Sequence, residues 1–270
     1  MRAALLIATA FIAALVCTGC GPPPGALRPL DDVELSDLAE RIYEPLSDVE
    51  AVRATGTGQM TVSGRTLRFG FALLQSGPSW LRLDIRPDLV GFGSALNSLI
   101  LVEGACARAY FPARVIEVRG CFDQIFGFPA LEGAASLATG FPDASLVESI
   151  EGAMIRTEGD ALVLRGTLGG SPIELTMAGE SGVVTGIRAG DPDAFDEVTI
   201  RYEGHGWKDA PPCPRVMSVV AREGTTNETR MRLEFETFRA AEGVDRGRHA
   251  LPVPPGARLL SWRDLFGDKE

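Results

Sequence analysis

The sequence is poor in the side chains that enzymes most often use for proton transfer and metal binding. Its 270 residues include only two histidines, His205 and His249, and five cysteines. No HExxH, nucleophile-elbow or phosphate-loop motif occurs, and no CxxC motif occurs after residue 20. His205 lies in a Gly-His-Gly-Trp stretch that predicts a turn with a surface histidine, and the acidic pairs suit helix caps and turns. We therefore expect a protein that is not an enzyme and that holds no metal or cofactor.

Positive charge is also scarce. Lys and Arg number 26 against 36 Asp and Glu, which leaves a formal net charge of -10 at pH 7. Nucleic acids and anionic lipid head groups attract basic surfaces. The charge balance therefore argues against a nucleic-acid partner and against broad adsorption to anionic membranes, so any membrane attachment must be hydrophobic.

No later hydrophobic run matches the one near the amino terminus, and that run is short. Residues 3–16 follow Arg2, whereas a membrane-spanning helix needs roughly 20 apolar residues. This length is typical of a signal peptide, and small residues then precede Cys20, although Cys17 stands where lipoprotein signals usually have Leu. The pattern predicts a lipoprotein signal peptide over residues 1–19. Cys20 would carry diacylglycerol on its thiol and an acyl group such as palmitate on its amino terminus; a plain membrane anchor or an ordinary cleaved signal is the alternative.

Residues 20–29 contain three consecutive prolines between glycines. Proline favours the extended polyproline form, so this segment predicts a semi-rigid tether between the lipid and a folded domain. Gly21 follows the cysteine, where Asp would retain a lipoprotein at the inner membrane of enteric bacteria. We therefore expect a lipid anchor on the periplasmic face of the outer membrane.

Most of the remaining chain alternates between apolar and polar residues. A helix is predicted from Asp31 or Asp32 to Pro45, followed by six strands, a helical interlude over residues 131–137 and 144–150, and seven more strands. So many antiparallel strands must curl to hide their apolar faces. We predict a mainly β (α+β) fold: a curved, unclosed antiparallel β-barrel over residues 30–250, with a few short helices as a lid and a C-terminal extension over residues 251–270.

Two strands show the alternation most clearly. In one, Leu81, Leu83 and Ile85 oppose Arg82 and Asp84. In the other, one face is predicted to hold Met231, Leu233, Phe235 and Thr237. One face of the sheet is therefore expected to be apolar and the other solvated.

The mature cysteines include one pair at a suggestive spacing. A hairpin centred on Ala113 and Arg114 pairs residues whose numbers sum to 227, which places Cys106 opposite Cys121. Directly paired residues lie within disulfide range, and an oxidising periplasm permits the bond. The pair is either a disulfide or two small buried thiols, and Cys213 is left unpaired.

Three short segments carry a family resemblance. They are residues 54–58 (ATGTG) in the first long strand, residues 78–84 (PSWLRLD) and residues 102–104 (VEG). With the lipoprotein signal and the leading helix, their order resembles that of the LolA/LolB-like periplasmic lipoprotein-carrier family. The resemblance implies an unclosed β-barrel with a helical lid that binds acyl chains or the lipid of other lipoproteins. It also implies a protruding loop that inserts toward a membrane, for which the candidates are Leu89, Val90 and Phe92.

Two functions follow as hypotheses. The first is a lipid-anchored carrier or acceptor of lipid or lipoproteins, driven by burial of hydrocarbon in an apolar cavity. Each candidate cavity residue could equally belong to an ordinary core. The candidates are Phe69, Phe71, Leu73, Leu81, Leu83, Ile85 and Leu99 on the sheet, with Leu131, Leu137 and Leu146 on the lid.

The second hypothesis is a structural adaptor lipoprotein that binds a protein partner in the cell envelope. Its contact surface would be the loop of Leu89, Val90 and Phe92, because exposed apolar patches mark protein partners as well as membranes. The C-terminal extension is another candidate for this contact.

Overall fold

The computed structural model of the protein describes residues 25–47, 49–62, 64–87, 97–121, 134–140, 144–179, 181–190, 197–207, 213–225 and 228–261. Within them the chain forms one curved, unclosed sheet of 15 strands with two α-helices. This confirms the predicted mainly β architecture. The elements in chain order are β1 (Arg28–Pro29), α1 (Asp32–Ser47), β2 (Ala51–Val62), β3 (Arg65–Ser76), β4 (Trp80–Pro87), β5 (Ser98–Glu103), β6 (Cys106–Phe111), β7 (Ile116–Cys121), α2 (Ala144–Glu148), β8 (Glu151–Glu158), β9 (Ala161–Leu168), β10 (Ser171–Ala178), β11 (Val184–Ala189), β12 (Val198–Glu203), β13 (Val216–Ala221), β14 (Thr229–Ala241) and β15 (Arg258–Ser261).

The sheet consists of two antiparallel meanders joined at their ends. Strands β8 to β14 follow one another in space as in sequence, as do β2 to β7, and β14 pairs with β2 to join the two runs. The edge strands are β1, which pairs with β8, and β15, which pairs in parallel with β7. Both edge strands are short and neither was expected from the sequence pattern.

Helix α1 begins at a capping box. The backbone N–H of Glu34 donates to Oδ1 of Asp31 at 2.8 Å, and the backbone N–H of Asp31 donates to Oε2 of Glu34 at 3.3 Å. The helix continues two residues past Pro45, the predicted end. Proline removes only one backbone hydrogen bond this close to the last turn, so the helix tolerates it.

One face of the sheet carries the main hydrophobic core. Helix α1 covers this face, which we call the concave face, with the buried residues Leu35, Leu38 and Ile42, and it packs against α2. Ser36 of α1 donates a hydrogen bond to Glu148 of α2 at 2.9 Å. The described helical cover is therefore formed largely by the leading helix.

The opposite face, which we call the outer face, has a smaller apolar cluster beneath the C-terminal segment. Leu74, Trp80, Leu101 and Tyr110 pack with Leu251. Arg82 donates to the backbone carbonyl of His249 at 3.0 Å, and the guanidinium of Arg246 lies 5.9 Å from the centroid of the Trp80 ring. Residues 246–253 are thus packed against the sheet, and part of the sheet is buried on both faces.

A β-bulge in β14 changes one expected orientation. The pairing with β2 shifts between Phe235 and Thr237, so Thr237 does not share the face of Phe235. It lies on the outer face, where its hydroxyl is 2.7 Å from that of Thr55, and Phe238 occupies the concave face instead. The extra residue of a bulge reverses the alternation, which a strict period of two could not anticipate.

Candidate functional site

Two glycines on the concave face of β2 make room for aromatic rings. A Cβ added at Gly58 would lie 2.3 Å from Cε2 of Phe69, and one added at Gly56 would lie 2.9 Å from Cζ of Phe71. The Phe71 ring meets Phe235 edge to face, with centroids 5.4 Å apart. The glycines of the ATGTG segment therefore let large apolar side chains lie directly over the strand.

One end of the concave face is closed. At this closed end, where β3 turns into β4 and β12 into β13, a 3-10 helix at Ala134–Thr139 lies against the strand connections. The N–H of Ser136 donates to the carbonyl of Pro78 at 3.2 Å, and the Tyr202 hydroxyl donates to the carbonyl of Leu137 at 2.6 Å. Burial raises the pKa of Tyr202, which therefore remains a neutral donor.

The other end, where β2 turns into β3 and β13 into β14, is less covered, and we call it the mouth end. Five half-buried apolar residues are direct cross-strand neighbours there. We call them the mouth row: Ile200, Val219, Met231, Met60 and Leu67.

The mouth row continues into a fully buried region. Ile200 pairs with Ile187, which pairs with Leu175, which pairs with Leu164. Leu164 and Leu175 have no exposed surface. Along this row the side chains are thus fully buried from β9 to β11 and half-buried from β12 to β3.

Most of the predicted sheet residues lie on the concave face. The buried ones, Phe69, Phe71, Leu73 and Leu81, belong to the main core, and Leu83 and Ile85 are half-buried against it. On the helical segments Leu137 is also half-buried against this core. Leu146 is buried, but its neighbour Val147 is the residue that joins the main core.

Leu99 does not share this face. It pairs with Asp84 and Tyr110 and packs in the outer cluster. Its neighbours Ile100 and Val102 face the concave side opposite Leu83 and Leu81. Because β5 is apolar on both faces, its composition could not indicate which set of residues points inward.

Several predicted residues lie outside the described part of the chain. They are Cys20, Leu89, Val90, Phe92 and Leu131.

The mouth row itself was not identified from the sequence. Met60, Met231 and Val219 belong to predicted strands, but of these only the strand of Met231 has a clear period of two that indicates which face the residue occupies. Their alignment across three adjacent strands depends on the pairing of β14 with β2, two strands that are more than 160 residues apart in the sequence.

The cysteines occupy two different environments. Cys106 and Cys121 are directly paired across β6 and β7 and form a disulfide, with their Cα atoms 3.8 Å apart. Cys213 is a free, fully buried thiol whose pKa is raised by burial. It is therefore protonated and shielded from thiol reagents.

His205 lies at the closed end and is half-buried, not a surface residue as the Gly-His-Gly-Trp pattern indicated. Burial lowers its pKa, and a hydrogen bond to the backbone of Val184 opposes that shift. Nearby, Trp207 lies 6.1 Å from Phe238 between ring centroids and beneath the guanidinium of Arg215, 4.9 Å from the Trp207 centroid. These contacts give the His205 turn a packing role.

Two clefts lie near the β1–β8 edge of the sheet. One, of about 510 Å³, is lined by Leu27, Met154 and Thr167 among others, and the second, of about 690 Å³, lies between the start of α1 and the start of β8. Neither is lined by the mouth row. Among the described residues there is no cluster of His, Cys, Asp and Glu that could hold a metal ion, and no helix long and apolar enough to cross a membrane.

The fold is shared with solved structures, although no protein-family model and no curated protein matches the chain. A DUF1329 family protein from Desulfovibrio piger superposes with a TM-score of 0.58 at 13% identity, covering 82% of this chain and 98% of the other. A putative outer membrane lipoprotein-sorting protein domain from Vibrio parahaemolyticus superposes with a TM-score of 0.53 at 12% identity, covering 80% of this chain and 96% of the other. A LolA superfamily protein from Nitrosomonas europaea superposes with a TM-score of 0.50 at 12% identity, covering 78% of this chain and 96% of the other. The chain therefore has a LolA/LolB-like fold.

Proposed function

We propose that this protein is a non-enzymatic carrier or acceptor that binds the acyl chains of lipids or lipoproteins on its concave face. The observation that carries the proposal is the mouth row, a continuous strip of half-buried apolar side chains at one end of a LolA-like sheet. A hydrocarbon chain laid along this strip would extend the existing core.

The binding energy would come from removing hydrocarbon from water. Each methylene that becomes buried contributes about 0.8 kcal/mol, so part of one acyl chain is sufficient for useful affinity. The five residues of the mouth row have no charged group and no hydrogen-bond donor in their side chains, and the two methionine sulfurs are only weak acceptors. We therefore expect little selectivity among lipid head groups.

The proposed location is the periplasmic face of the outer membrane, with Cys20 lipidated after removal of residues 1–19. The support is the sequence pattern around Cys20 and the proline-rich tether. Two acyl-bearing groups at one terminus give stable anchoring where a single chain would not. Residues 30–250 would form the binding domain, with residues 251–270 as a C-terminal extension.

A binding assay with matched variants tests the proposal. Met231 belongs to the mouth row, whereas its neighbour Arg232 points to the outer face and pairs with Glu234. Full burial of a Met side chain contributes about 1.5–3 kcal/mol, and Met231 is already half-buried, so M231S should remove about 1 kcal/mol, or about fivefold in affinity. The affinity is measured with an environment-sensitive fluorescent fatty acid.

R232S is the control and should bind the fatty acid as the parent protein does. Thermal unfolding of both variants checks that the fold is retained. Equal affinity of the two variants, or no uptake by the parent protein, would contradict the proposal.

A second candidate function is that of an adaptor for an envelope protein, and the edge strand β15 favours it. Leu259 on this strand is 56% exposed, and an edge strand can pair with a strand from a partner. L259S should abolish capture of such a partner without changing fatty-acid binding. Polar replacements of Leu89, Val90 and Phe92 test the loop in the same capture assay.

A further inference from the structure

The amino-terminal segment enters the domain along the β1–β8 edge. Arg28 pairs with Ile155 and Pro29 with Met154, and the N–H of Leu30 donates to the carbonyl of Ala153 at 2.9 Å. Because the pairing is antiparallel, residues before Arg28 run toward the later residues of β8.

Gly25, the first described residue, lies beside the end of β8. A Cβ placed on Gly25 would lie 3.8 Å from the carbonyl oxygen of Thr157. Thr157 is close to the β8–β9 turn at Gly159 and Asp160. In a sheet of alternating strands, the β8–β9, β10–β11 and β12–β13 turns all lie at one end, so the chain leaves the domain at the closed end.

Side chains, as well as backbone hydrogen bonds, hold the segment of residues 28–34 in place at the β1–β8 edge. Arg28 Nη1 donates to both carboxylate oxygens of Glu34 in the first turn of α1, at 2.9 and 3.0 Å. The same Glu34 belongs to the capping box with Asp31. The segment therefore joins the sheet edge to the helix that covers the concave face.

The tether is short compared with the strands. Cys20 and Gly25 are separated by five peptide units, which span at most about 17 Å when fully extended. Strand β2 has 12 residues, which correspond to about 40 Å. A lipid at Cys20 can therefore lie close to the closed end while the mouth end stays much farther away.

We propose that the closed end of the domain faces the bilayer that holds the Cys20 lipid, and that the mouth row opens away from that bilayer into the aqueous space. This inference rests on the anchor and the mouth row of the proposed function. It has a consequence for the segment that contains Leu89, Val90 and Phe92. The described strand ends on either side of it, Pro87 of β4 and Ser98 of β5, both lie at the mouth end, on the side away from the anchoring bilayer.

The orientation is tested with the full lipidated protein in vesicles of phosphatidylethanolamine and phosphatidylglycerol that carry an energy-transfer acceptor on a head group. A donor dye is attached at D160C, in the closed-end turn, or at E223C, in the exposed β13–β14 turn at the mouth end. In the described part of the chain Cys106 and Cys121 form a disulfide and Cys213 is buried. The introduced cysteine is therefore the thiol that reacts with the dye there.

The proposal predicts a several-fold larger loss of donor emission at D160C than at E223C when vesicles are present. A longer Gly/Ser spacer inserted after Pro24 should reduce this difference. Equal losses, a larger loss at E223C, or no loss at either site would overturn the proposal. The measurement needs no bound cargo, so its outcome is independent of the fatty-acid assay, and a C20S variant that still associates with the vesicles would disprove the anchor itself.

Discussion

Glycine is essential at two positions of β2 because the neighbouring groups occupy the space of a side chain. A Cβ at Gly56 would lie 2.0 Å from the carbonyl oxygen of Glu234, and one at Gly58 would meet the Phe69 ring. Gly70 on the adjacent strand differs, because its nearest neighbour would be 3.9 Å away. The two glycines of β2 thus allow close strand packing and aromatic packing at once.

Alanine substitution should separate these positions. We expect G56A to lower the free energy of unfolding by about 1–3 kcal/mol, the usual cost of overpacking, because a backbone carbonyl cannot move away easily. G70A should be neutral or stabilising by up to about 1 kcal/mol, since alanine restricts the unfolded chain. Urea denaturation measures both, and equal destabilisation by the two variants would refute this explanation.

Glu117 is a buried carboxylate on the outer face of β7, with two arginine partners. Arg108 Nε donates to it at 2.8 Å and Arg119 Nε at 2.9 Å. The hydrogen bond from Arg119 is the main cause that lowers the pKa of Glu117 below its usual 4.5; burial opposes the shift and Arg108 adds to it. The charged form is therefore favoured by folding.

The stabilisation by Glu117 should depend on pH. It is fully present above about pH 4.5 and is lost as the pH falls through the lower folded-state pKa. E117Q should lower the free energy of unfolding at pH 7 by about 1–2 kcal/mol, less than for a fully buried pair because both arginines are partly exposed. Chemical denaturation of the parent protein and of E117Q, from neutral to acid pH, should show that the difference between their free energies of unfolding disappears. A difference that stays constant with pH would contradict this role of Glu117.

At the scale of elements, α1 is the main described cover of the concave face. Its apolar spacing predicted a helix but did not show that the helix lies over the sheet, because an amphipathic pattern identifies a buried face and not its partner. The strands were predictable for a similar reason: a period of two indicates a half-buried strand. The period of two gave the wrong face for Thr237, because β14 has a bulge, and it could not give the face of Leu99, because β5 is apolar on both faces.

The importance of α1 can be measured with one isoleucine and one valine that differ in burial. Ile42 is 1% exposed and Val33 is 70% exposed on the same helix. I42A should cost about 2–5 kcal/mol of unfolding free energy, as other large-to-small core changes do, whereas V33A should change it by less than about 0.5 kcal/mol. Thermal and urea unfolding test this, and a small effect of I42A would show that α1 does not stabilise the sheet.

At the scale of the whole molecule, the site depends on contacts that no local pattern specifies. The mouth row crosses from β12 to β3 through the pairing of β14 with β2, whose residues are separated by most of the chain. The edge strands β1 and β15 depend in the same way on distant partners. The number of alternating strands predicted the curved sheet and the resemblance to LolA/LolB-like proteins implied the same fold, but the filled and half-buried parts of the concave face became apparent only from side-chain packing.

The central claim, that acyl chains bind at the mouth row, is tested most directly by methionine-methyl NMR with a spin-labelled fatty acid. Met60 and Met231 are cross-strand neighbours in the mouth row. Met177 is fully buried beyond it, and Met154 lies at the β1–β8 edge. We predict that the methyl signals of Met60 and Met231 broaden at the lowest ligand concentrations while those of Met154 and Met177 persist. Broadening of Met154 first, or no selective broadening, would contradict the account.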